Sequence, residues 1–170
     1  MGSEMCIRDR ASDRAPEEVS SSELTIFVGI ARAYTQAGAS GLVLASRRVS
    51  GLEETAQDCK KINANADIKV VSCDITSPKS VEGLANETEA TFGRLDVLIV
   101  NSGAAGGNYG VKLADIPAEG IMNATAVKYT GSCLCVKYFI PLLLATKDGA
   151  KAIVGISSYA ALMVLSLIHI

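Results

Sequence analysis

LDVLIV, residues 95–100, is apolar at every position but Asp96 and runs straight into NSGAAG, residues 101–106. A short, nearly continuous apolar run that ends in a small, glycine-rich turn is the signature of a strand covered on both faces. Two further runs upstream have the same character: GLVLAS, residues 41–46, and IKVVSC, residues 68–73. KAIVGIS, residues 151–157, follows them downstream, and LTIFV, residues 24–28, reads as a short strand at the front. Between these runs apolar residues recur at helical spacing. GIARAYTQAGAS, residues 29–40, has helical character and stops at Gly38. Leu52, Ala56, Cys59 and Ile62 recur at helical spacing and predict a helix over residues 50–65. Val81, Leu84, Ala85, Thr88 and Phe92 mark another, opened by Ser77-Pro78. Residues 103–111 form a loop rich in glycine, and one long helix is expected over residues 118–146.

Strands that alternate with helices, and are apolar throughout, imply a parallel sheet with helices on both faces. Such a sheet binds its ligand beyond the carboxyl ends of its strands, where strand order reverses. No internal repeat or linker interrupts the pattern, so a single α/β domain is expected.

Bulk composition removes several functions. The 170 residues carry a net charge of −2 and no basic stripe, which gives no electrostatic case for a nucleic-acid partner. Cys6, Cys59, Cys73, Cys133 and Cys135 are odd in number and include no C-x-x-C, which argues against a disulfide framework and against a zinc site. They are expected to be small core residues of a reduced, cytoplasmic protein. The closing stretch, residues 152–170, has no charged residue and nearly the length of a membrane span, but Gly155, Ser157 and Ser158 and the lack of a basic residue at its far end favour a buried strand over an anchor.

The two ends of the chain are related to each other in an unusual way. Residues 165–170 back-translate as CTG TCT CTT ATA CAC ATC and residues 5–10 as ATG TGT ATA AGA GAC AGR, and each reads closely as the reverse complement of the other. Both resemble a transposon-end sequencing adapter. Residues 1–10 and 165–170 are therefore expected to be adapter-derived, and 11–23 (ASDRAPEEVSSSE) a loose polar tail. That leaves residues 24–164 as the folded part and makes His169, the one histidine, foreign sequence.

Four segments taken together carry a family resemblance: VVSCDITS, DVLIVNSGAAG, YTGSCLCVKYFIPLLL and AIVGISSYAAL. In this order and spacing the chain, from about Gly29 to Leu162, resembles the short-chain dehydrogenase/reductase family. The resemblance implies a Rossmann-type doubly wound parallel sheet, here incomplete, with its glycine-loop start and C-terminal part missing. It implies a nicotinamide cofactor and hydride transfer to or from a small carbonyl or secondary alcohol, often in a homo-oligomer built on the long helix.

Site residues follow from the same resemblance. The second strand ends in ASRR, and an arginine there can meet a 2′-phosphate bidentately where an acidic residue would take the ribose hydroxyls of NAD. Ser46, Arg47 and Arg48 therefore point to NADP over NAD. Asp74 and Ile75 hold the place of an adenine-contacting pair. Asp74 alone would also suit a turn or helix cap. Asn101, Ser102, Gly103 and Ala104 stand where the family has N-N-A-G, with small residues that let the backbone approach the adenosine. Ser158 matches the active-site serine that hydrogen-bonds the substrate oxygen. Ser157 is its fallback, and Tyr159 is expected to pack.

Three departures cut against activity. No T-G-x-x-x-G-x-G precedes the first helix, and Phe27 falls where its last glycine should be, expected to obstruct a pyrophosphate. Lys128 stands at the place of an active-site asparagine that would help hold a proton-relay water. No Tyr-x-x-x-Lys occurs in the 170 residues, so the proton donor and the lysine that tunes it are missing. A reductase fragment that does not turn over is expected. The rival readings are a non-catalytic binding or scaffold relative, and another Rossmann protein such as a methyltransferase, for which the serine and N-S-G positions would be accidents.

Overall fold

The computed structural model describes residues 3–7, 21–103 and 113–158. Five parallel strands form one sheet: β1 (Ser3–Ile7), β2 (Gly41–Ser46), β3 (Asp67–Ser72), β4 (Val97–Val100) and β5 (Ala152–Gly155), in the order β3-β2-β1-β4-β5. The order reverses at β1, which pairs with β2 on one side and β4 on the other. This is the doubly wound α/β arrangement, and it puts all five carboxyl ends on one edge.

Side-chain alternation divides the core in two. Leu42 and Leu44 of β2, with Val97 and Ile99 of β4, face one side, where α1 (Ser21–Gln36) and α2 (Ser50–Ile62) cover them with Phe27, Ala31, Leu52 and Cys59. Val43 and Ala45, with Leu98 and Val100, face the other side, beneath α3 (Pro78–Phe92) and α5 (Ser132–Ala145). Both β2 and β4 are buried at every position, which accounts for their unbroken apolar sequences. β3 is an edge strand and only half covered.

Helix ends follow their local chemistry. The Ser77 side chain accepts from the Ser80 amide, Pro78 opens α3, and Gly93 closes it at φ 65°, a backbone setting that glycine takes without strain. At the amino end of β4, Arg94 donates from Nε and Nη2 to Asp96 at 3.1 and 2.6 Å, which raises the arginine above its ordinary value. The buried Thr146 hydroxyl donates to the Leu142 carbonyl and accepts from the Leu95 amide, both at 2.9 Å, tying the end of α5 to the start of β4.

Four expectations are corrected. Residues 24–28 lie inside α1 and are not a strand; the place of the first strand is taken by Ser3–Ile7. A strand is selected by its backbone ladder as much as by its sequence, and β1 pairs on both sides. For the same reason the fold is not confined to residues 24–164: Ser3–Ile7 belongs to the sheet and α1 begins at Ser21. Phe27 is inside α1, well past its start, and is fully buried against the sheet, so it fills core and does not face a phosphate. Cys133 is exposed, whereas Cys59, Cys73 and Cys135 are buried as expected.

The long helix extends from α4 (Ala118–Thr125) through a wide π turn (Ala126–Gly131) into α5. By length and composition Ala118–Ala145 could cross a membrane. Its buried residues, including Val127, Cys135, Phe139, Leu142 and Leu143, pack against the sheet. The expectations for residues 159–170 lie outside the described residues.

Candidate cofactor and active site

Parallel pairing brings the candidate residues to one edge. Ser46 is level with Ser72 in the β2–β3 register, and Val100 with Gly155 in the β4–β5 register. Arg47 and Arg48 leave β2, Asp74 and Ile75 follow β3, Asn101 to Gly103 follow β4, and Ser158 follows β5. Residues read from separate motifs thus share the carboxyl edge of the sheet, where such folds bind ligands. Ala104 and Tyr159 lie outside the described residues.

At the end of β2, Arg47 and Arg48 are exposed. The Ser46 hydroxyl donates to the Arg48 carbonyl at 2.6 Å, and the Ser72 hydroxyl to the Arg47 carbonyl at 3.4 Å. Ser46 is therefore committed to its own turn and is not a free ligand. Ser72 had no signal in the sequence, because its relation to Ser46 exists only once the strands are in register.

The end of β3 is built as a turn. Asp74 Oδ1 accepts from the Thr76 amide at 2.9 Å and from the Thr76 hydroxyl at 2.7 Å, the alternative role that its position allowed. Oδ2 takes no bond among the described residues. Ile75 is fully buried in the core, packed against Gly131 of the π turn. Its side chain points away from any ligand beyond the strand ends, so only its backbone can serve a cofactor.

The end of β4 holds an unmet hydrogen-bonding group. Ser102 Oγ is buried and has no partner among the described residues. A buried hydroxyl without a partner carries a desolvation cost of about 1–3 kcal/mol unless something else meets it. A polar ligand over the β4 end would do so. Ser158, just beyond β5, is exposed.

Lys128 lies in the middle of the π turn. The neighbouring Val127 is buried against the same core as Ile75 and Val100, and Lys128 itself is exposed. Its carbonyl accepts from the Ser132 hydroxyl at 2.8 Å, as the helix resumes its normal pitch. π turns of this kind occur often at functional sites. The turn places an ammonium group, not an amide, at this point of the helix.

The chain resembles known proteins in sequence and in fold. A family model described as enoyl-(acyl carrier protein) reductase matches residues 22–169. The short chain dehydrogenase pgmD of Aspergillus terreus is 30% identical over 139 residues, covering 78% of this chain and 45% of pgmD. The short chain dehydrogenase tazN of Aspergillus terreus is 34% identical over 134 residues, covering 78% of this chain and 28% of tazN. A metagenomic short-chain oxidoreductase solved in complex with NADP superimposes with a TM-score of 0.73 at 24% identity, over 96% of this chain and 66% of that one. The chain thus spans less than half the length of these two curated relatives.

Proposed function

The chain belongs to the short-chain dehydrogenase/reductase family, and from that premise we propose that it is part of an NADP-linked oxidoreductase of small carbonyls or secondary alcohols. A nicotinamide cofactor, when bound, supplies the hydride. This chain's part is to hold the adenosine end at Arg47, Arg48, Asp74 and Asn101–Ala104, and to orient the substrate oxygen through the Ser158 hydroxyl. The single observation that carries the reading is the buried, unpartnered Ser102 Oγ at the carboxyl end of β4, flanked on the same edge by the arginine turn and Ser158.

Chemistry also needs an acid to protonate the developing alkoxide. The sequence has no Tyr-x-x-x-Lys, so the 170-residue chain is proposed to bind cofactor without turning over. The whole enzyme is proposed to be cytoplasmic and homo-oligomeric, and residues 1–10 and 165–170 to be adapter-derived. The test is to recover the coding sequence on both sides and assay it. A glycine loop ahead of α1 and a Tyr-x-x-x-Lys after Ser158 should accompany NADPH oxidation that depends on added carbonyl. Native sequence lacking both would end the oxidoreductase reading.

A second reading, a non-catalytic binding relative, is favoured by Lys128, which the family resemblance sets at the asparagine position and which is exposed in the π turn. That reading expects neither motif to be present in the recovered coding sequence.

A further inference from the structure

The turn after β2 is oriented by two hydroxyl groups, one of them on a neighbouring strand. We propose that Ser46 and Ser72 are positioning residues for 2′-phosphate recognition: they hold the carbonyls of Arg47 and Arg48 inward so that the turn presents only donors outward. The inference rests on the reading of residues 46–48 as the 2′-phosphate contact and assigns the discrimination to groups that do not touch the phosphate.

Three consecutive carbonyls accept bonds from the sheet side. Ser46 O takes the Cys73 amide at 3.0 Å, Arg47 O the Ser72 hydroxyl at 3.4 Å, and Arg48 O the Ser46 hydroxyl at 2.6 Å. In a trans peptide the C=O and N–H point in opposite directions, and the chain has no cis peptide bond among its described residues. Turning the Arg47 and Arg48 carbonyls inward therefore turns the Arg48 and Val49 amides outward. Neither amide has a partner among the described residues. Successive outward amides form a concavity that favours an anion, and the Arg47 and Arg48 side chains leave the same turn. A carbonyl rotated outward would instead bring lone pairs against a phosphate oxygen.

Ser46 is only 8% exposed and makes the shorter bond. Ser72 is exposed on the edge strand and makes the longer one. Removing the Ser46 hydroxyl should thus have the larger effect, and removing the Ser72 hydroxyl should leave folding intact.

The test is calorimetric titration of the full 170-residue chain with adenosine 2′,5′-bisphosphate and with 5′-AMP, which differ in the 2′-phosphate. Ser46→Ala is expected to weaken the bisphosphate about fivefold to tenfold while 5′-AMP changes less than about twofold. Ser46→Thr, which keeps a hydroxyl, should restore both. Ser72→Ala should act in the same direction by a smaller factor. If Ser46→Ala and Ser72→Ala weaken both ligands equally, or neither, the serines are merely structural and the inference fails. If the unaltered chain binds 5′-AMP as tightly as the bisphosphate, the NADP reading itself fails and the inference with it. If it binds neither, the proposed adenosine site is overturned as well.

Discussion

A Cβ on Gly131 would lie 2.6 Å from Cδ1 of Ile75 and 2.7 Å from its Cγ1. The π turn therefore meets the end of β3 with no room for a side chain, and this contact locks the helix that carries Lys128 to the strand that leads into Asp74. Ile75 is fully buried. Gly131→Ala should destabilise the chain by about 1–3 kcal/mol through overpacking. Urea denaturation should show the loss. Gly83→Ala is the control: Gly83 sits within α3 with nothing within 4 Å of its would-be Cβ, so alanine should stabilise by about 0.5–1 kcal/mol.

Phe27 is the residue that the family resemblance sets against a glycine, and replacing it by glycine should do harm. The ring is fully buried between α1 and the sheet. Phe27→Gly opens a large cavity and puts glycine inside a helix, and should remove about 4 kcal/mol or more of stability. It should bring no gain in NADP affinity, because the helix begins before Phe27. A thermal melt and a cofactor titration on one sample would report both outcomes.

Thr146 makes two buried hydrogen bonds, and valine matches its shape without them. Thr146→Val leaves the Leu95 amide with no acceptor from that hydroxyl, an expected loss of about 1–3 kcal/mol. Hydrogen exchange should rise first at Leu95 and at the end of α5. A uniform rise across the sheet would instead mean that the bond serves global stability alone.

The outer face of the long helix predicts association. Met122 and Tyr129 are each 70% exposed and Leu144 is 66% exposed, large apolar side chains of the kind that association would cover. Light scattering should find self-association at micromolar concentration, and Met122→Ser with Leu144→Ser should reduce it. A clean monomer in the unaltered chain would count against the proposed homo-oligomer.

Much of this architecture could be read from residue order alone. β2 and β4 declare themselves because a strand buried on both faces has no polar alternation, and Ser77-Pro78 marks the start of α3 through a cap and a fixed φ. Residues 24–28 misled because a five-residue apolar run fits a buried helix segment as well as a strand; what decided it was that another segment had filled the first strand's place. Cys133 and Cys135 show a similar limit. Two positions apart on a helix they point in different directions, and only the packing of α5 on the sheet says which is inside. The π turn, residues 126–131, had no signature in the sequence. At the site, the motif residues could be named in advance. The commitment of Ser46 to Arg48, the part played by Ser72 and the orphaned Ser102 hydroxyl depend on strand register and on burial, which sequence does not contain.

The central position of β1 also bears on how quickly this chain can fold. Residue 3 pairs with residue 41, and residue 4 pairs with residue 97. β1 precedes both of its neighbours in the chain and finds β4 only after β2, α2, β3 and α3 have been made. β2, α2 and β3 are consecutive and can assemble locally, whereas seating β1 against β4 must close a long loop before any contact rewards it. Joining the two halves of the sheet is therefore the slow event of folding. Until it happens β2 and β4 each expose an unpaired edge, which makes the half-assembled chain, more than the finished one, the species that aggregates.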